Sequence, residues 1–212
     1  MANETGLWHG TARDTRDHQR RRRLLDAALE LYGTLGYRAT TVQAVCHEAK
    51  VSTRSFYELY ADHEELLATL YLELNNEVLD AIIGRSGEAD GPAPDAFTAT
   101  RRLVAAALGP MLADERKARV LQIEAVGISE ALERERRLTF RRLASTVDTA
   151  LEAFAQAGLI DSAPQGLASL MIVGGITEAL VQRVQTEQDR RGPTAEFIDD
   201  VARVTVRMAG SL

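Results

Sequence analysis

Between Thr40 and Leu66 the chain reads TTVQAVCHEAKVSTRSFYELYADHEEL, and shortly before it come four consecutive arginines, Arg20 to Arg23. The residue types here suit anion and base-edge recognition. Ser52, Thr53 and Ser55 are small hydroxyl side chains, and Tyr57 carries a longer one. Thr41 and Gln43 precede them, and Lys50 and Arg54 add positive charge. Short side chains at a helix start let the helix approach a DNA groove, and hydroxyls and free backbone N–H groups donate to phosphate oxygens. Thr40–Thr41, Ser52–Thr53 and Asp62–His63 are three such helix starts within 24 residues.

Other chemistries lack their parts. The four histidines, His9, His18, His47 and His63, include no i, i+4 pair of the kind that holds zinc on a helix. Cys46 is the single cysteine, so no intramolecular disulfide forms, and on its apolar stripe it reads as a small core residue. No G-x-S-x-G nucleophile motif occurs. We expect no enzyme activity, metal or cofactor. The arginine-rich run ERERRLTFRR, 133–142, offers the i, i+4 pairs Glu130–Arg134 and Glu133–Arg137, as a solvated helix face does.

The elements that must position these residues are helical throughout. Apolar residues recur every three and four positions, and no segment alternates with period two. The stripe Leu24, Ala28, Leu31, Tyr32, Leu35 predicts a helix from Arg20, stopped by Gly36. Val42, Val45, Cys46 and Ala49 share one face of a two-turn helix. Ser52 or Thr53 caps a short second one carrying Phe56, Tyr57 and Tyr60. Asp62 and Glu65 make a capping-box pattern that opens a longer helix through about Ile83. A loop is expected over 84–95, then helices near 95–110, 114–126, 129–157, 164–189 and 194–210. The net charge is −6, yet residues 1–60 carry 9 basic against 7 acidic side chains, and 61–212 carry 16 against 24. The asymmetry points to two jobs, the first near an anion.

A two-turn helix, a turn and a second short helix make a helix-turn-helix. The segment resembles the DNA-binding signature of the TetR family of transcriptional regulators. Val45–Cys46 stands at the family's Ile-Ala place, Ala49–Ser52 at its Ala-Gly-Val-Ser place, and Thr53–Tyr57 at its recognition helix. Three departures stand out. Lys50 replaces a turn glycine where left-handed backbone is expected, Leu59 replaces a common histidine or tyrosine, and Glu58 puts an acid near the DNA face.

The resemblance implies an all-α protein: an N-terminal three-helix helix-turn-helix domain followed by a larger helical ligand-binding and dimerisation domain. We divide it as a flexible arm 1–19, a DNA-binding domain 20–66 and a helical domain 67–212. The expected DNA contacts are Arg23, Thr41, Gln43, Lys50, Ser52, Thr53, Arg54, Ser55, Tyr57 and His63. Two alternatives stay open: Arg20 to Arg23 is either a phosphate-binding arm or a solvated helix start, and Gln43 either reads a base or completes a capping box with Thr40. For an unknown small-molecule effector, polar groups on apolar helices nominate Tyr71, Gln122, Glu124, Thr177 and Glu178. Glu124 is alternatively a structurally paired acid. The resemblance further implies a homodimer through the last two helices, where Phe197, Ile198, Val201, Val204, Thr205 and Met208 form a stripe needing a partner. Gly174 and Gly175 suggest a close helix crossing or space for a ligand. The implied function is a repressor released from a palindromic operator. A helical protein-interaction module of the same fold, without DNA binding, is the alternative. No apolar run is read as membrane-spanning and the N-terminus lacks a signal-peptide core, so a soluble, cytoplasmic location is expected.

Overall fold

The structure, a computed structural model, describes residues 5–87, 91, 93–163 and 166–210. Those residues form α1 Thr5–Thr34, α2 Val42–Ala49, α3 Thr53–Tyr57, α4 His63–Gly87, α5 Ala96–Ala113, α6 Glu115–Arg119, α7 Glu130–Gln156, α8 Leu167–Gln185 and α9 Thr194–Gly210. A π-helical turn, Val120–Glu124, follows α6, and a 3-10 turn, Gln188–Arg190, precedes α9. No strand occurs among the described residues.

The first three helices pack around the apolar face of α1. Leu24, Leu25, Ala28 and Tyr32 are buried against Val45, Cys46, Phe56 and Tyr60. Burying the leucine, valine and phenylalanine side chains contributes roughly 1.5–3 kcal/mol each, so this small unit holds its shape despite its short helices. α1 ends where Leu35 and Gly36 donate back to the Leu31 carbonyl and Gly36 turns left-handed at φ 97°. A left-handed residue just past a helix favours glycine, which has no Cβ to clash.

α4 runs out of this unit into the rest of the molecule. Leu66, Leu67, Leu70, Leu74 and Val78 continue the same apolar core, which extends through α5 and α7 to Leu180 on α8 and Ala202 on α9. The boundary drawn at 66/67 therefore falls inside one helix, between two fully buried leucines. α5 packs beside α9, and α7 beside α8.

Several expectations need correction. The segment read as a flexible arm, 1–19, is helical from Thr5 onward and continuous with α1, while residues 1–4 lie outside the described residues. The loop assigned to 84–95 begins later, because α4 continues to Gly87; residues 88–90 and 92 lie outside the described residues. α8 is long and apolar enough to cross a membrane by length and composition, contrary to the reading that no run is. Only 22% of its apolar window is buried inside the chain, and Leu167, Leu170 and Met171 are exposed. The α9 stripe is largely used within the chain. Phe197, Ile198 and Val201 pack on the main core and Met208 on a smaller cluster, leaving Val204 exposed.

Candidate nucleic-acid interface and ligand cavity

The interface is set by three caps. Thr41 caps α2, its hydroxyl accepting from the Ala44 N–H at 3.2 Å. Thr40 is buried instead and donates to the Gly36 carbonyl. That register excludes the capping-box role for Gln43, which is exposed. Ser52 caps α3 by accepting from the Ser55 N–H at 3.1 Å. Asp62 caps α4 by accepting from the Glu65 N–H at 2.8 Å.

Between α2 and α3, Lys50 lies in the left-handed region at φ 53°, ψ 45°. It is the one non-glycine residue with positive φ among those described. The Lys50 N–H bonds to the His47 carbonyl and the Val51 N–H to that of Cys46, closing α2. The turn thus keeps the geometry a glycine would adopt freely, at a cost of roughly 1 kcal/mol for a side chain with a Cβ.

Beyond the turn, Thr53, Arg54 and Tyr57 are exposed, with Tyr57 at 56%, while Phe56 and Tyr60 are buried. Ser55 is partly covered and accepts from Arg20 at 3.2 Å. Glu58 lies 3.3 Å from Arg54 and 3.8 Å from Arg20, so its charge is matched within the chain. These ion pairs are exposed and contribute little to stability. Leu59 packs on the core. The arginine run divides by role: Arg20 also pairs with Asp17, Arg21 lies over the Tyr60 ring and Arg22 pairs with Asp26. Arg23 is exposed and has no ion pair among the described residues.

His63 is placed differently from the expectation of a phosphate contact. Its ring stacks on Tyr37 at 4.5 Å and meets Tyr32 edge-on at 5.2 Å. Its Nε2 is buried without a hydrogen-bond partner. Burial lowers its pKa below the ordinary value of 6.5, only partly opposed by Asp62. That shift disfavours the charged imidazolium that a phosphate contact would use. Nothing in the local pattern distinguishes this; Tyr32 and Tyr37 lie some thirty residues earlier.

A second feature lies between α4, α5, α7, α8 and α9: a cavity of about 120 Å³. Its walls are mainly Leu, Ile, Val, Ala and Phe, and no charged or histidine side chain lines it among the described residues. Of the five nominated ligand residues, Gln122 and Thr177 line it. Tyr71 does not: it is buried in the core with Arg136 over its ring, and burial raises its pKa. Glu178 lies on the exposed face of α8 and accepts from Gln182 at 2.9 Å. Glu124 is structurally paired, accepting from the Tyr37 N–H at 2.8 Å and from Arg119 at 3.0 Å. Sequence reasoning missed Asn75, Thr100, Thr146 and Thr205, the other polar groups on the wall. Asn75, which falls on the apolar stripe of α4 with Tyr71 and Val78, was the available signal; it donates to the Tyr71 carbonyl.

Residues 24–70 match the family described as bacterial regulatory proteins, tetR family. The same region is similar to the HTH-type transcriptional regulator HbdR of Aromatoleum sp. (strain CIB), at 39% identity over 62 residues. That match spans 29% of this chain and a quarter of HbdR. Among solved structures, a regulatory protein in the tetR family from Rhodococcus RHA1 superposes with a TM-score of 0.71 at 23% identity, covering 90% of this chain and 97% of its own. The fatty acid degradation regulator FadR of Bacillus halodurans gives 0.76 at 21% identity, over 88% and 94%. FadR of Bacillus subtilis, solved with stearoyl-CoA, gives 0.70 at 20%, over 87% and 96%. Residues 24–70 thus carry the helix-turn-helix segment of the tetR family of bacterial regulatory proteins, and over nearly its whole length the chain has the fold of these solved regulators.

Proposed function

We propose that the chain is a DNA-binding transcriptional repressor whose hold on a palindromic operator is released by a small molecule. The observation that carries this is the exposed row Thr53, Arg54 and Tyr57 on α3, flanked by Gln43 and Lys50 and backed by buried Phe56 and Tyr60. An apolar underside fixes the helix, and short polar groups face out where a groove can admit them.

The effector reading rests on the cavity. Walls without charge favour a ligand that is mostly hydrocarbon. The FadR proteins of the same fold, one of them holding stearoyl-CoA, make an acyl chain the first class to try. α4 touches both ends of the molecule: His63 at the DNA-reading unit, Asn75, Val78 and Ile82 at the cavity wall. Ligand binding that favours one position of α4 shifts the population of DNA-binding heads, and the coupling acts equally in both directions.

The homodimer reading rests on α8. Leu167, Leu170 and Met171 are exposed on one face, with Gly175 open beside them, and Val204 of α9 is exposed too. An apolar face of this length calls for a partner helix, and an open glycine permits close approach.

The test is a gel shift with DNA flanking the chain's own gene, followed by footprinting. Protection should be twofold symmetric, with half-site centres about 34–36 Å apart or a larger whole number of turns. Log affinity should fall by about 0.9 per neutralised phosphate for each unit of log salt. Palmitoyl-CoA should release the DNA. No protection of any duplex selected from a random pool would leave a protein-interaction module of this fold instead.

A further inference from the structure

The π-helical turn Val120–Glu124 touches both functional regions. The Ala125 N–H reaches the Val120 carbonyl at 3.1 Å, a bond spanning five residues rather than four. Such turns carry one residue too many for an α-helix and persist only where neighbours hold them. Arg136 of α7 does so here, donating to the Leu121 carbonyl at 2.9 Å.

On one side of the turn, Leu121 and Gln122 line the cavity. On the other, Glu124 holds the Tyr37 N–H at 2.8 Å, just past the end of α1. Gly36 fits beneath this carboxylate because it has no Cβ; one added there would stand 3.1 Å from Glu124 Oε2. Arg119, which pairs with Glu124, also donates to the Thr34 carbonyl. Downstream, Ser129 bonds to Glu64 of α4. Tyr37 is itself stacked on His63, the first residue of α4. One short segment thus binds the end of α1 and the start of α4 while forming part of the cavity wall.

We propose that this turn is the latch between the cavity and the DNA-reading unit: an occupant that displaces Leu121 and Gln122 shifts the turn toward α-helical register and withdraws Glu124 from the Tyr37 amide. A one-residue change of register rotates a helical side chain by roughly 100°, so the Glu124 carboxylate cannot keep its hydrogen bond to the Tyr37 amide once Leu121 and Gln122 leave the wall. The latch is the two-state element that physical coupling between distant sites requires. It rests on the cavity being the effector site, and Glu124 acts in it as a positioning residue.

The experiment needs no identified ligand. Ala150→Phe and Ala107→Phe each place a ring in the cavity from a different helix, and act as a fixed occupant. Amide hydrogen exchange is read at Tyr37 in the full-length chain, with Ala28 of α1 as a reference. Each folded filler should speed Tyr37 exchange roughly tenfold, as Glu124→Ala does, because a charge-assisted hydrogen bond is lost. Ala28 should not change. Against a duplex selected from a random pool, the fillers should weaken binding in the natural background and add little in Glu124→Ala. Tyr37 exchange unchanged in both fillers overturns the latch. So does a filler effect on DNA affinity that is equal in the two backgrounds, which would put the coupling elsewhere while leaving the effector reading intact. A filler that unfolds the chain is recognised by lost protection at Ala28 as well, and the other filler then decides. If the chain binds no duplex at all, the regulator reading fails, and Tyr37 exchange in the fillers still decides for or against the latch.

Discussion

Replacing Lys50 separates backbone strain from charge at one position. Lys50 is exposed and left-handed, at φ 53°, ψ 45°, between α2 and α3. A side chain with a Cβ costs roughly 1–2 kcal/mol in that region, and glycine avoids it. Glycine also loosens the unfolded chain, which returns about 0.4–1 kcal/mol of that gain. Lys50→Ala keeps the Cβ and loses the charge; Lys50→Gly loses both. Both should lower the salt slope of DNA binding by the same amount, up to about 0.9 for one phosphate contact. Only glycine should raise stability, by about 1 kcal/mol over alanine, or roughly 2–4 °C in melting temperature for a chain of this size. Calorimetry and salt-dependent fluorescence anisotropy read the two effects. Equal melting temperatures for the glycine and alanine variants would refute the strain argument. An unchanged slope in both would remove Lys50 from the DNA contacts.

Tyr57→Phe should weaken DNA binding across all sequences, because its exposed hydroxyl is assigned to phosphate, whereas Thr53→Ala should change base preference; selection from a random pool with each variant checks both. The half-buried imidazole of His63 has a lowered pKa, so its share of stability is complete above the ordinary value of 6.5 and is lost as pH falls below it. The urea midpoint should therefore drop more between about pH 7.5 and 5.5 in the natural chain than in His63→Phe, and equal drops would show that the imidazole is not held neutral. Met171→Glu places a charge on the open face of α8, where Met171 is 57% exposed. It should leave the helical signal intact and convert a dimer to monomer in sedimentation, since an obligate interface of about 2,000 Å² or more does not tolerate an unpaired central charge.

The sequence alone determined what depends on neighbours within a few residues. Helix starts at Thr40–Thr41, Ser52–Thr53 and Asp62 and the stop at Gly36 follow from capping and from backbone sterics, and the fold then selects Thr41 and Ser52 as the caps. The apolar faces of α1 and α2 follow from helical periodicity, and with them the burial of Cys46, Phe56 and Tyr60. Tertiary structure decided where each polar side chain found its partner. Glu124 bonds to Tyr37, 87 residues earlier, so it holds two regions together. His63 turns inward because Tyr32 and Tyr37 offer it aromatic faces. The α9 stripe is mostly covered because α5 lies against it, and the open apolar face belongs to α8. Periodicity names the apolar side of a helix but not the element that covers it, and a carboxylate's role is set by the donors that folding brings within about 3 Å.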